Sequence, residues 1–138
     1  MATTATSSQG SSIAMKSGTT YITIAQIDGF TGPGTSLDLI DITNLDSSGG
    51  YKEYQGGLKD NENVSGELIW NSTDTGIGMF ITANTAGSTD GYKVTFNFST
   101  PKTATFNGIA VKFSPKASKG DVMRASIEIK PTGLITWA

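Results

Sequence analysis

The sequence predicts a mainly β fold: a β-sandwich or partly closed barrel of about seven or eight strands, with one α-helix around 74–86. Three observations carry this. Several segments alternate apolar and polar residues with a period of two. Seventeen glycines punctuate the 138 residues, well above the roughly 7% of ordinary usage. Only one stretch places apolar residues at helical spacing.

Residues 1–11 are small, polar and without period, which predicts a flexible N-terminal arm ahead of a single domain over 12–138. YITIAQID (20–27) reads as a strand, GFTGPGT (29–35) as a turn and SLDLIDIT (36–43) as a second strand. VSGELIW (64–70) alternates, with Val64, Gly66, Leu68 and Trp70 on one face. Ser72, Thr73 or Asp74 then caps a helix whose Ile77, Phe80, Ile81 and Asn84 share a side and which Gly87 stops. In YKVTFNFS (92–99), Tyr92, Val94, Phe96 and Phe98 face inward. In TATFNGIAVKF (103–113), Ala104 and Phe106 give way to Ile109, Val111 and Phe113, which predicts a bulge or kink at Asn107-Gly108. VMRASIEIK (122–130) turns Met123, Ala125, Ile127 and Ile129 inward, and LITW (134–137) closes as a short strand.

One segment resists both periods. Residues 44–63, NLDSSGGYKEYQGGLKDNEN, combine four glycines, mixed charges, two tyrosines and two leucines, and read as a long loop. Loops beyond about 12–15 residues are uncommon in compact domains and are usually functional or disordered. Disordered segments usually lack aromatics, so Tyr51, Tyr54 and Leu58 predict a loop that packs on something. It packs either on its own domain or on a neighbouring molecule.

The inventory for chemistry is thin. With no Cys and no His, the chain lacks thiolate ligands and the residue most used for proton transfer near neutral pH. Gly76-Ile77-Gly78 lacks the third glycine and the preceding strand of a dinucleotide fingerprint, and 60–63 lacks the Gly and terminal Glu of a calcium loop. Asp38 and Asp41 lie three apart on a strand and therefore on opposite faces. No catalytic, cofactor or metal site is predicted. The sequons at Asn63, Asn71 and Asn97 are what chance gives in a Ser/Thr/Asn-rich chain without a Sec-type leader. No apolar run approaches the ~18 residues of a membrane span. Net charge is only −2, which disfavours tight DNA binding despite Lys112, Lys116, Lys119 and Arg124. The charge is nonetheless uneven: ten acids face three lysines in residues 1–90, and seven bases face two acids in 91–138. Such a division suits complementary faces in a self-assembling subunit.

Several landmarks fall together in 30–70. Gly-Pro-Gly (32–34) precedes Asp-x-Ile-Asp-Ile-Thr-Asn-Leu-Asp (38–46). Gly-Gly-Tyr-Lys-Glu-Tyr (49–54) and Gly-Leu-Lys-Asp (57–60) then lead into Val-Ser-Gly-Glu-Leu (64–68), and the chain closes on Ile-Thr-Trp-Ala (135–138). In order and spacing this resembles the tail tube proteins of long-tailed bacteriophages, over nearly the whole chain. The resemblance implies a major tail protein, a structural virion component and not an enzyme, with a fold similar to that of the type VI secretion tube protein. It implies homohexameric rings stacked into a hollow tube, the conduit for genome delivery, assembled in the host cytoplasm with tape-measure and tail tip or terminator proteins. Phage DNA would pass through the lumen without specific binding. The chain ends before the extra immunoglobulin-like domain that some members carry. On this reading 44–63 is the assembly loop, with Tyr51, Tyr54 and Leu58 packing on a neighbour. Asp46, Lys52, Glu53, Lys59 and Asp60 would set register through charge. The residues also leave room for a β-sandwich adhesin or carbohydrate-binding module, or for the inner tube of a secretion system or contractile tail.

Overall fold

The computed structural model describes residues 10–24 and 26–138. Most of the expected arm, residues 1–9, lies outside the described residues. The fold is mainly β and sandwich-like, with nine strands and one helix among the described residues. Strands β1 (Ser12–Ser17), β2 (Thr20–Thr23), β3 (Gln26–Thr31), β6 (Val64–Ile69), β7 (Thr89–Phe96), β8 (Lys102–Lys116) and β9 (Arg124–Trp137) form one antiparallel sheet. Their order is β2-β1-β7-β8-β9-β6-β3. Strands β4 (Gly34–Asp41) and β5 (Tyr54–Glu62) pair only with each other.

The sheet curls almost into a barrel. β2 and β3 occupy opposite edges, yet Thr23 and Gln26 are three residues apart and so no more than about 11 Å. A flat seven-stranded sheet would hold its edges about 29 Å apart. Rolling brings Phe30 of β3 against Phe96 of β7, with ring centroids 5.5 Å apart. Helix α1 (Thr75–Ala86) covers the meeting place of the edges, packing on β8, β1 and β2. Asp74 caps it, its carboxylate accepting from the N–H groups of Gly76 and Ile77. Gly87, in the left-handed conformation, ends it. Gly76 is required by contact, because a Cβ there would sit 2.3 Å from the Thr23 carbonyl oxygen.

Inside the curl lie Ile13, Ile24, Val64, Leu68, Phe80, Tyr92, Val94 and Ile129, all fully buried, with Tyr92 stacked on Phe106 at 5.9 Å. Apart from Ile24, which follows β2, these are the inward positions of period-two strands and of one helix face. Burial also pushes the Tyr92 phenol pKa well above its ordinary value, with the nearby Asp90 charge adding to the effect.

Several expectations change. The strand expected over 20–27 is two strands, because the chain crosses there from one sheet edge to the other. β1, not anticipated, lies between β2 and β7 and buries Ile13 and Met15. In β8 the buried phase runs through Ala104, Phe106, Gly108 and Ala110. The register against β9 does shift beside the expected site, between Thr105 and Asn107, but the outward change of phase falls later, where Ala110↔Ile129 is followed by Lys112↔Glu128 and Val111 bulges out. Met123 is exposed, since β9 begins only at Arg124. The expected short strand at 134–137 is the end of the 14-residue β9. Trp70 packs edge-on against Phe113, while Trp137 stacks on Phe96 and remains 54% exposed.

Candidate assembly surface

The segment expected as a loop over 44–63 is largely one arm of a ribbon. Residues 54–62 form β5, which runs antiparallel to β4 from Gly34↔Glu62 to Asp41↔Tyr54. Its period is hidden because β5 carries an extra residue between Leu37↔Lys59 and Leu39↔Gly56, and such a bulge switches the side-chain phase mid-strand. The irregular part shrinks to a tip between Ile42 and Glu53, with a 3-10 turn at Ser48–Gly50.

The ribbon continues the β3–β6 pair past a sharp bend. At the bend Gly32 has φ +94°, and a Cβ would meet the Asn63 carbonyl oxygen at 2.9 Å. The root is tied to β9. Asn61 Nδ2 donates to the Gly133 carbonyl at 2.6 Å, while Lys130 Nζ donates to the Asn61 carbonyl at 2.6 Å and pairs with Asp60 at 3.3 Å. A groove of about 760 Å³ opens there, lined among others by Thr35, Lys59, Ile109, Leu134 and Trp137.

The tip is ordered by its own polar groups. Glu53 closes it: the Ile42 N–H donates to its carbonyl, its N–H donates to Thr43 Oγ1 at 2.7 Å, and its carboxylate accepts from Ser47 Oγ at 2.8 Å. The Asp46 N–H donates to Asn44 Oδ1 at 2.8 Å. The Thr43 hydroxyl and N–H hold the Asp41 carboxyl below the usual carboxylate range.

The ribbon's apolar side chains, in contrast, find no cover. Leu37 and Leu39 point from one face, Ile40 and Ile42 from the other, and all four are exposed. Leu45 at the tip is 105% exposed and Leu58 on β5 is 83% exposed. Tyr51 and Tyr54 are exposed too, so they do not fold back on their own domain. Burying one such Leu or Ile fully is worth about 1.5–3 kcal/mol. A two-stranded ribbon alone in water is at best marginally stable.

The eight residues singled out from sequence therefore share one ribbon but not one setting. Asp46, Tyr51, Lys52 and Glu53 lie at the tip, and Tyr54, Leu58, Lys59 and Asp60 along β5. Asp60 is engaged within the chain by Lys130, and Glu53 within the tip. The sequence reading missed Leu37, Leu39, Ile40 and Ile42. Their signal was present, because a strand apolar on both faces must be covered on both. Sequence alone could not say that the cover is not this domain. Among the described residues no three acidic or other potential ligands cluster as a metal site.

Comparison with known proteins places this architecture. No curated protein matches the chain in sequence. The tail of an empty gene transfer agent particle, refined with C6 symmetry, superposes with a TM-score of 0.78 at 18% identity, covering 97% of this chain and 99% of that one. The SPP1 tail tube gives 0.67 at 9% identity, over 92% and 75%. The Hcp1 protein of the E. coli EAEC 042 pathovar gives 0.54 at 12% identity, over 92% and 89%. Residues 6–138 match the model of the family described as lambda phage tail tube protein, a family of structural proteins and not of enzymes, and the chain belongs to it.

Proposed function

We propose that this chain forms six-membered rings that stack into the hollow tube of a virion tail, and that the β4–β5 ribbon is the element that joins copies. The observation that carries the reading is the ribbon itself, apolar on both faces and uncovered in the single chain. Exposed apolar area of this kind marks an interaction surface, and the family supplies the partner, another copy of the chain. The sixfold symmetry of the related particle tail supports the ring number. The tube would serve as the conduit for the genome, without specific DNA contacts. It would be assembled in the host cytoplasm on a tape-measure protein and finished by tip and terminator proteins. In this reading Tyr51, Tyr54 and Leu58 give apolar contact, and Asp46, Lys52 and Lys59 adjust register.

The test is removal of residues 43–52, which leaves the Asp41↔Tyr54 pair joined by a two-residue turn. Negative-stain microscopy of the concentrated protein is expected to show hollow tubes for the full chain and none for the shortened one. Tubes of normal length from the shortened chain would refute the role of the ribbon tip.

A further inference from the structure

The curled sheet has two edges, and only one is covered. β2 is packed by α1. β3 pairs with β6 on one side, and among the described residues no strand takes its other side. Gln26–Thr31 thus present a row of backbone N–H and C=O groups open to any strand that arrives. The one charged side chain of β3, Asp28, is drawn to Arg124.

The start of β1 leads to this open row. β1 runs antiparallel to β2 with Ala14 opposite Thr23. The register continues one step further, where the Ile24 N–H donates to the Ile13 carbonyl at 2.8 Å. β3 begins two residues later, at Gln26. Each step back along β1 is a step forward along β3, so the same register sets Ser11 opposite Gln26 and Gly10 opposite Ile27. On its other side the start of β1 is held to β7, through Ser12↔Thr95 and the Asn97 N–H, which donates to Ser11 Oγ at 3.1 Å. A strand that continues β1 backwards fills the place between β7 and β3. Those two share no ladder and meet through the Phe30 and Phe96 rings.

Residues 1–9, MATTATSSQ, have the length and chemistry for that place. In this register, covering β3 as far as Thr31 takes the chain back to Thr6 and leaves residues to spare. The segment has no Pro, so no N–H is missing from a ladder. Thr3, Thr4 and Thr6 are β-branched, as strands prefer, and no charged side chain opposes the pairing. Gly10, at φ +89°, has the left-handed backbone of bulges that re-aim a strand without ending it.

We propose that residues 6–11 extend β1 along the free edge of the same chain's β3 and close the curled sheet in the free subunit. An open edge is a template for strand pairing with a second copy. The arm withholds that edge, so free subunits do not join edge to edge.

The chain has no Cys, so engineered pairs report this contact alone. Opposed residues of an antiparallel ladder have Cα atoms about 4.5–5.5 Å apart, within disulfide reach. In the monomer, T31C is expected to oxidise within one chain to T6C, or to S7C where the arm skips the bulge at Asp28. Free thiols in both pairs, or links only between copies, would overturn the assignment. Hydrogen exchange gives a second reading. The β3 amides that face away from β6 should exchange at least about tenfold faster once residues 2–9 are removed, while those bonded to β6 keep their protection. Equal exchange in the two chains would overturn the pairing. Sedimentation velocity should show the shortened chain associating at concentrations where the full chain is monomeric. A shortened chain that stays monomeric would overturn the shielding role. All three measurements use free subunits, so their failure leaves the tube reading standing.

Discussion

The curled sheet and the ribbon are built from the same kind of strand and have opposite fates. In β7, Tyr92 and Val94 are fully buried inside the curled sheet. In β4 and β5, Leu39 and Leu58 are likewise apolar side chains of paired antiparallel strands but remain 66% and 83% exposed. The difference is not local propensity. It is whether the chain supplies a second layer: β7 has one, and the ribbon, which shares no ladder with another strand and is tied to β9 only at its root, has none over its length. Apolar side chains stabilise a fold only where something covers them. The contrast separates residues that hold the subunit together from residues kept for a neighbour.

Substitutions can break that contrast. The largest effect on the isolated subunit is expected at Phe80, fully buried between the helix and the sheet. Phe80→Ala should lower unfolding free energy by about 3–5 kcal/mol, through lost transfer energy and the cavity left behind. Denaturant titration of the monomer checks this.

Tyr92 sharpens the comparison from inside the core. Its hydroxyl is buried with no protein partner among the described residues, and burial raises its pKa. The folded state thus holds the phenolic proton more tightly than the unfolded state, which releases it near pH 10. Stability is retained below that pH and declines as pH rises beyond it, because the unfolded chain ionises first. Tyr92→Phe is expected to raise stability at neutral pH by about 1 kcal/mol, by removing an unsatisfied buried hydroxyl. It should also flatten the alkaline decline. Thermal melts across pH 7–11 measure both effects.

The smallest effect on the subunit is expected on the ribbon. Leu39→Ser with Leu58→Ser should change monomer stability by less than about 0.5 kcal/mol, as surface changes usually do. Tube yield should nevertheless fall sharply. A large loss of monomer stability would mean that the ribbon supports its own domain instead of a neighbour.

The sequence by itself determined most of the scaffold. The helix, its Asp74 cap and its Gly87 stop were legible because capping is local chemistry within a few residues. The inward faces of β6, β7 and β9 were legible because a half-buried strand repeats every two residues, except at Phe98 and Met123, which were expected inward but lie beyond the strand ends and are exposed. The absence of His and Cys made catalysis an unpromising reading. The assembly segment was found as an anomaly, through Tyr51, Tyr54 and Leu58 in a stretch without period. Only the tertiary structure decided what that anomaly is. A bulge in β5 had erased its alternation, and its partner β4 had the pattern of a buried strand, apolar on both faces. Local pattern records which side chains need covering, whereas the path of the chain at Gly32 and Asn63 determines whether this molecule or another provides the cover.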